Sequence, residues 1–157
     1  MPDLRADIRA ELRAELRAAG LRCTPARVRV LGAIRSFGRP ASHAELADHA
    51  EVVGMDAVTL YRSLSALEGA GLLHRVHGTD GAWRACAQPE GRDGCPGNHA
   101  HFLCSTCGQM ACLVDQPLPR GMPPPGAVVQ GRNFVAFGRC AQCRAAGADG
   151  DSRDRAP

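Results

Sequence analysis

Residues 56–86, DAVTLYRSLSALEGAGLLHRVHGTDGAWRAC, change periodicity halfway along. Asp56 is placed to cap a helix in which Ala57, Leu60, Leu64 and Leu67 recur at helical spacing as a buried stripe, and Gly69 and Gly71 mark its end. LLHRVH and AWRAC then flank Gly78-Thr79-Asp80-Gly81, the pattern of two short strands joined by a tight turn. A helix running into a hairpin is half of a winged helix, and the preceding residues supply the rest. Thr24-Pro25 caps a helix carrying Val28, Leu31 and Ile34 on one face. Gly38-Arg39-Pro40 interrupts, and Ser42-His43-Ala44-Glu45 has the form of a capping box for a second helix that buries Leu46 and ends at Gly54. Ahead of these, Leu4, Ile8, Leu12 and Leu16 step by four residues, which predicts a solvated helix with one apolar seam docked on the same domain. That seam is too short for a coiled coil.

On the helix after Asp56 the buried stripe leaves Thr59, Tyr61, Arg62, Ser63 and Ala66 on the other side. Such a mixture suits phosphates and base edges, and equally suits an ordinary solvated surface. Composition does not decide between them. The 157 residues carry a net charge of +3, and all nineteen basic residues are arginine, a side chain that forks onto phosphate and guanine. The N-terminal segment alternates charge with apolar residues, so it lacks the uninterrupted stretch of a signal or membrane span. A cytoplasmic protein without membrane contact is expected.

Past Cys86 the texture changes, and an α+β chain of two parts is expected. Residues 1–88 form the winged-helix domain with its N-terminal helix, 89–97 a linker, 98–146 a small α/β metal-binding domain, and 147–157 a disordered tail. Two Cys-x-x-Cys knuckles, Cys104/Cys107 and Cys140/Cys143, frame the second part. Two intervening residues let a tight turn bring both thiolates within about 2.3 Å of one ion, so two knuckles close a tetrahedron around a structural zinc. A reducing compartment argues against a disulfide framework, and the βαβ context of a redox pair is missing.

Subtracting those ligands leaves Cys95, His99, His101 and Cys112, with His74, His77 and Cys86 just upstream. His99 and His101 sit at i, i+2, so on a strand both imidazoles face one side and can take one metal. His74 begins the wing and Cys86 ends it, which offers a site shared between the two halves. A zinc deaminase would need His-x-Glu and Pro-Cys-x-x-Cys, whereas His99-Ala100-His101 lacks the glutamate and Leu103 precedes Cys104. His-Glu-x-x-His, a nucleophile elbow and a phosphate-binding loop are missing too, so neither an enzyme nor a small-molecule substrate is expected.

GLRCTPARVRVL, AVTLYRSLSALEGAGLL, HAHFLCSTCG and FVAFGRCAQC stand here in an order and spacing that resemble the ferric uptake regulator (Fur) family of metal-responsive repressors, and within it the zinc-sensing Zur branch. The resemblance covers most of residues 19–144. It implies a homodimer paired through the C-terminal domains, whose winged helices bind palindromic double-stranded DNA operators once the sensory site is loaded, repressing genes of zinc acquisition. It implies one structural and one regulatory zinc per subunit. Cys104, Cys107, Cys140 and Cys143 match the structural ligands; His74, Cys86, His99 and His101 match the regulatory set. Arg22, Thr59, Tyr61, Arg62 and Ser63 are the expected DNA-contacting residues, of which Tyr61 and Arg62 match the family's Tyr-Arg pair. A thiolate with imidazoles suits zinc, whereas iron-sensing relatives use a glutamate near the place where this chain has Arg84.

Some positions depart from the family pattern. Asn98, Ala100 and Arg132 replace the donors of an additional metal site, which is therefore expected to be absent. Cys112 stands where some zinc sensors have a glutamate ligand and is the first substitute for His74. Residues 117–126, PLPRGMPPPG, occupy part of a region that is usually helical. Cys23 reads as a small buried residue, while Cys95 and His77 have no assigned role. Alternatives are a family member sensing another metal or peroxide, and a zinc-ribbon and winged-helix module that binds protein.

Overall fold

A computed structural model of the chain describes residues 4–87, 99–114, 123–128 and 133–147. The expected linker 89–97, Cys95 within it, most of the proline-rich segment and the tail beyond residue 147 lie outside the described residues. The elements run α1 (Leu4–Ala18), α2 (Pro25–Ser36), β1 (Ala41–Ser42), α3 (His43–Asp48), α4 (Ala57–Gly69), β2 (His74–His77), β3 (Trp83–Cys86), β4 (Ala100–Cys104), β5 (Met110–Leu113), β6 (Val135–Gly138) and α5 (Ala141–Ala145).

Each of the winged-helix helices starts on the cap its sequence announces, because a side-chain oxygen satisfies an otherwise orphaned N–H. The Arg27 N–H donates to Thr24 Oγ1 at 3.4 Å and the Thr59 N–H to Asp56 Oδ1 at 2.8 Å. Ser42 and Glu45 close a reciprocal capping box, with contacts of 2.7 and 3.3 Å. The end of α3 differs from expectation: the helix stops at Asp48, because His49 turns to extended backbone and accepts the Glu51 N–H on Nδ1 at 3.1 Å. Gly54 lies beyond it in a turn.

The core of this domain gathers Leu16, Leu31, Ile34, Leu46, Leu60, Leu64, Leu67 and Leu73, all fully buried. Each such side chain contributes about 1.5–3 kcal/mol of transfer free energy. On α4 the buried stripe is Leu60, Ser63, Leu64 and Leu67, a run of i, i+3, i+4, i+7. Ala57, expected inside, is exposed in the first turn. The seam of α1 is likewise shorter than expected: Leu12 and Leu16 bury against α2 while Ile8 stays 46% exposed. Gly32 permits that approach, since a Cβ there would meet Leu12 Cδ1 at 3.2 Å.

Two three-stranded sheets complete the fold. The wing sheet has the order β1-β3-β2, entirely antiparallel, with His74 opposite Cys86. Its two-residue β1 carries too little pattern to be read beforehand. The second sheet has the order β5-β4-β6, with β5 antiparallel and β6 parallel to β4, and His101 opposite Cys112. The sheets share a small core of Val76, Cys86, Leu103 and Met110, against which Cys112 and Val135 pack. Polar ties reinforce it. Arg84, only 5% exposed, donates to both Asp80 carboxylate oxygens at 3.2 and 2.7 Å and to the Gly108 carbonyl at 2.9 Å. Asn133 Nδ2 donates to the His77 carbonyl at 3.0 Å. Gly78 has no room for a side chain at this junction, because a Cβ would meet Asp80 Oδ1 at 2.4 Å and Leu103 Cδ2 at 3.0 Å.

Candidate metal centres

The second sheet delivers Cys104 at the end of β4, and the turn after it returns Cys107 toward the same point, with Gly108 at φ +72° allowing the reversal. Cys140 is the N-cap of α5 and Cys143 lies in that helix's first turn, so its N–H donates to Cys140 Sγ at 3.4 Å. The N–H groups of Cys107 and Cys140 donate to Cys104 Sγ at 3.5 and 3.4 Å. All four sulfurs lie within 4.8 Å of one another, as two knuckles around one cation require.

The electrostatics of this cluster fit a cation. The two backbone N–H groups on Cys104 lower its thiol to about 6, whereas Cys143 is pushed up to about 12, chiefly by the neighbouring Cys140 sulfur. Four thiolates repel one another when only protons balance them, and a dication reverses that balance.

The second cluster unites His74 from β2, Cys86 from β3, His101 from β4 and His99 just before it. Their donor atoms also lie within 4.8 Å of one another. Ring centroids of His99 and His101 are 4.5 Å apart, and His74 stands 5.4 and 5.5 Å from them. Cys86 Sγ is 3.7 Å from His99 Nε2. Three of the four residues are buried and His74 is half-buried. Both ring nitrogens of His101 are buried without a hydrogen-bond partner among the described residues, a costly state unless another acceptor of lone pairs occupies the centre. Burial, and then the nearness of His99 and His74, depress its pKa to about 3, so the imidazole stands neutral and ready as a ligand. One thiol and three imidazoles fit a tetrahedral zinc ion.

Cys112 lies outside this group of four, though its Sγ is 3.6 Å from that of Cys86. His77, the other histidine of the wing, is exposed on the far side of β2 by strand alternation. Cys23 is half-buried and packs against the winged-helix core, close to its expected place. Two contacts were not legible from sequence. Arg84 acts across the two sheets, and the contact of Cys112 with Cys86 depends on the register of β5, a strand the sequence did not announce.

On the exposed side of α4, Tyr61 is 53% exposed, Arg62 is exposed and Thr59 is half-buried. Arg22 is exposed ahead of α2. The Arg75 guanidinium stands 5.8 Å from the Tyr61 ring centroid and 4.6 Å from that of Trp83. Ser63 departs from the expected outward placement. It is only 5% exposed, and its hydroxyl donates to the Thr59 carbonyl at 2.8 Å, because residue 63 falls within the i, i+3, i+4, i+7 stripe. Among the described residues no helix is long and apolar enough to cross a membrane.

A winged helix joined to a small sheet, with one cluster of four cysteines and a second cluster between them, defines a metal-binding regulator fold. The profile of the ferric uptake regulator family matches residues 18–120, and the chain belongs to that family of metal-responsive, DNA-binding transcription regulators. It is 34% identical over 95 residues to ferric uptake regulation protein 1 of Mycolicibacterium fortuitum, a match covering 60% of this chain and 55% of that protein. The chain thus spans about half the length of that relative. Among solved structures it is similar to a zinc uptake regulator complexed with zinc and DNA, at 20% identity and TM-score 0.64 over 92% of this chain and 98% of that one. It is also similar to holo XcZur, at 27% identity and TM-score 0.58 over 87% and 99%. The ferric uptake regulator of Vibrio cholerae follows at 19% identity and TM-score 0.56, over 81% and 98%.

Proposed function

We propose that the chain is a zinc-responsive DNA-binding repressor that binds palindromic double-stranded operators of zinc-uptake genes as a homodimer, with one structural and one regulatory zinc per subunit. The reading places it in the cytoplasm, where its cysteines stay reduced. The observation that carries it is the origin of the second cluster's donors: His74 and Cys86 come from the wing, His99 and His101 from the second sheet. A set of one thiolate and three imidazoles favours zinc over iron, which is better matched by nitrogen and carboxylate oxygen.

When bound, zinc supplies directed bonds to donors on both sides of the domain junction. The chain's own residues translate that constraint. Cross-strand pairing holds His74 and Cys86 opposite each other, and α4 passes into β2 through only four residues, Ala70 to Leu73, so the orientation of the wing constrains that of α4. Tyr61, Arg62 and Thr59 on α4, together with Arg22, would then meet phosphates and base edges in the major groove. Cys104, Cys107, Cys140 and Cys143 serve a different end, holding β4 to α5 whether or not the second cluster is filled. Phe137 is 66% exposed on β6, an edge strand among the described residues, and offers an apolar surface for pairing with a second copy.

Operator binding titrated against buffered zinc tests the reading with Cys86→Ser. Zinc-dependent affinity should fall on the order of 100-fold, while metal analysis still finds the four-cysteine zinc. Undiminished zinc-dependent affinity in this variant would sink the assignment.

A further inference from the structure

We propose that Cys86 and Cys112 are an oxidisable pair: a hydroperoxide converts them to a disulfide that withdraws the thiolate from the second metal cluster. The arrangement follows from two registers. His74 lies opposite Cys86 in the wing sheet and His101 opposite Cys112 in the second sheet, so each sheet presents one histidine and one cysteine to the junction. The two Sγ atoms come within 3.6 Å, against about 2.05 Å in a disulfide, a closure of about 1.5 Å. Cys112 is only partly buried, so its side chain is less confined than that of the fully buried Cys86.

The pair is asymmetric in a way that orders the chemistry. Cys86 is completely buried, whereas Cys112 is reachable from solvent. The Cys112 thiolate attacks the terminal oxygen of a hydroperoxide, the O–O bond breaks, and the products are a sulfenic acid on Cys112 and water or an alcohol. The Cys86 sulfur then attacks the Cys112 sulfur, the S–O bond breaks, and the hydroxide leaves as water with a proton taken from the Cys86 thiol or, where Cys86 starts as a thiolate, from solvent. Two thiols lose two electrons in total and one hydroperoxide gains them. Cys86 is thereafter a disulfide sulfur without a thiolate charge, so a metal at the cluster keeps only His74, His99 and His101. Three neutral donors hold a dication far less tightly than a set that includes a thiolate. A protein reading zinc through this cluster would therefore lose its signal under peroxide, independently of the zinc supply.

The consequence for metal rests on the zinc reading above, whereas the disulfide itself does not. Full-length zinc-loaded protein is treated with a small excess of hydrogen peroxide, alkylated, digested after arginine and mapped by mass. Cys86 falls in the peptide 85–92 and Cys112 in 93–120, which also carries Cys95, Cys104 and Cys107, so fragmentation locates the link. The expected result is a crosslink between 85–92 and 93–120, two hydrogens lighter than the free pair and reversed by dithiothreitol. One equivalent of zinc should reach a chromophoric chelator about tenfold faster than in Cys112→Ser or Cys112→Ala, each of which should still bind both zinc ions. A crosslink of the same two peptides persisting in both variants would overturn the proposal, as would oxidation confined to Cys104, Cys107, Cys140 and Cys143. Crosslinking decides the pair and operator binding decides the zinc response, so each can fail while the other holds.

Discussion

The two candidate metal clusters differ in their ligands, four thiols against one thiol and three imidazoles, and in where those ligands come from. The four cysteines all come from residues 104–143, and Cys107 is exposed to solvent. Backbone N–H groups of the two knuckles hold the sulfurs, within each turn and from Cys140 across to Cys104, so the cluster needs little beyond the knuckles and the strand pairing of β4 with β6. The histidine-rich cluster is buried, and its donors come from both sheets. A local cluster suits a permanent fastening, because its geometry survives domain movement. A cluster assembled at a junction exists only in one arrangement of the domains, so whatever occupies it favours that arrangement, and this is the physical content of a switch.

The largest expected break of this contrast is Cys104→Ser. Removing one ligand forfeits much of a metal-coupled folding free energy on the order of 10 kcal/mol. The second sheet should lose its order at any zinc level, visible by circular dichroism and sedimentation, while the separate leucine core keeps the winged helix folded. Loss of zinc response with the second sheet intact would erase the distinction between the clusters.

Arg84→Ala should act at the junction instead. It leaves the Gly108 carbonyl without its donor and Asp80 without the guanidinium that holds its carboxyl below the usual range. Unfolding in urea should register a loss of about 2–3 kcal/mol. Zinc affinity should weaken at the junction cluster and not at the four cysteines; equal weakening at both would show that Arg84 supports the knuckle alone.

The smallest effect concerns pH. His101 has a folded pKa of about 3, below its ordinary 6.5, so the unfolded chain binds a proton that the folded chain refuses. The stability this histidine contributes is complete above about 6.5 and is lost as pH falls toward 3, by up to about 1.4 kcal/mol per unit for one proton. Protein carrying metal only at the four cysteines should therefore lose stability between pH 6 and pH 5 more steeply than His101→Leu does. Equal slopes would mean that the buried imidazole is protonated in the folded state.

Legibility in the sequence followed locality. Caps at Thr24, Ser42 and Asp56 were readable because a capping side chain acts within three residues. The four-cysteine site was readable because each knuckle spans four. The end of α3 was not, since it turns on a His49 side chain that caps the turn beyond the helix. Ser63 looks outward by its polarity, whereas its position on the 3.6-residue repeat puts it inward, where the Thr59 carbonyl satisfies its hydroxyl. Spacing pointed to the same-side pair His99 and His101, the positions of His74 and Cys86 in the wing offered a shared site, and family resemblance named the four as one set.

The sequence by itself determined the helix caps, the wing hairpin, the two knuckles and the membership of a metal-responsive regulator family. Each of these depends on residues close together in the chain or on an ordered series of motifs. Tertiary structure alone decided that His74 and Cys86 face His99 and His101, that Arg84 reaches the Gly108 carbonyl, and that Cys112 lies against Cys86. Those contacts require two sheets to pack face to face in particular registers, and a one-residue slip in either would turn the same side chains away from the junction.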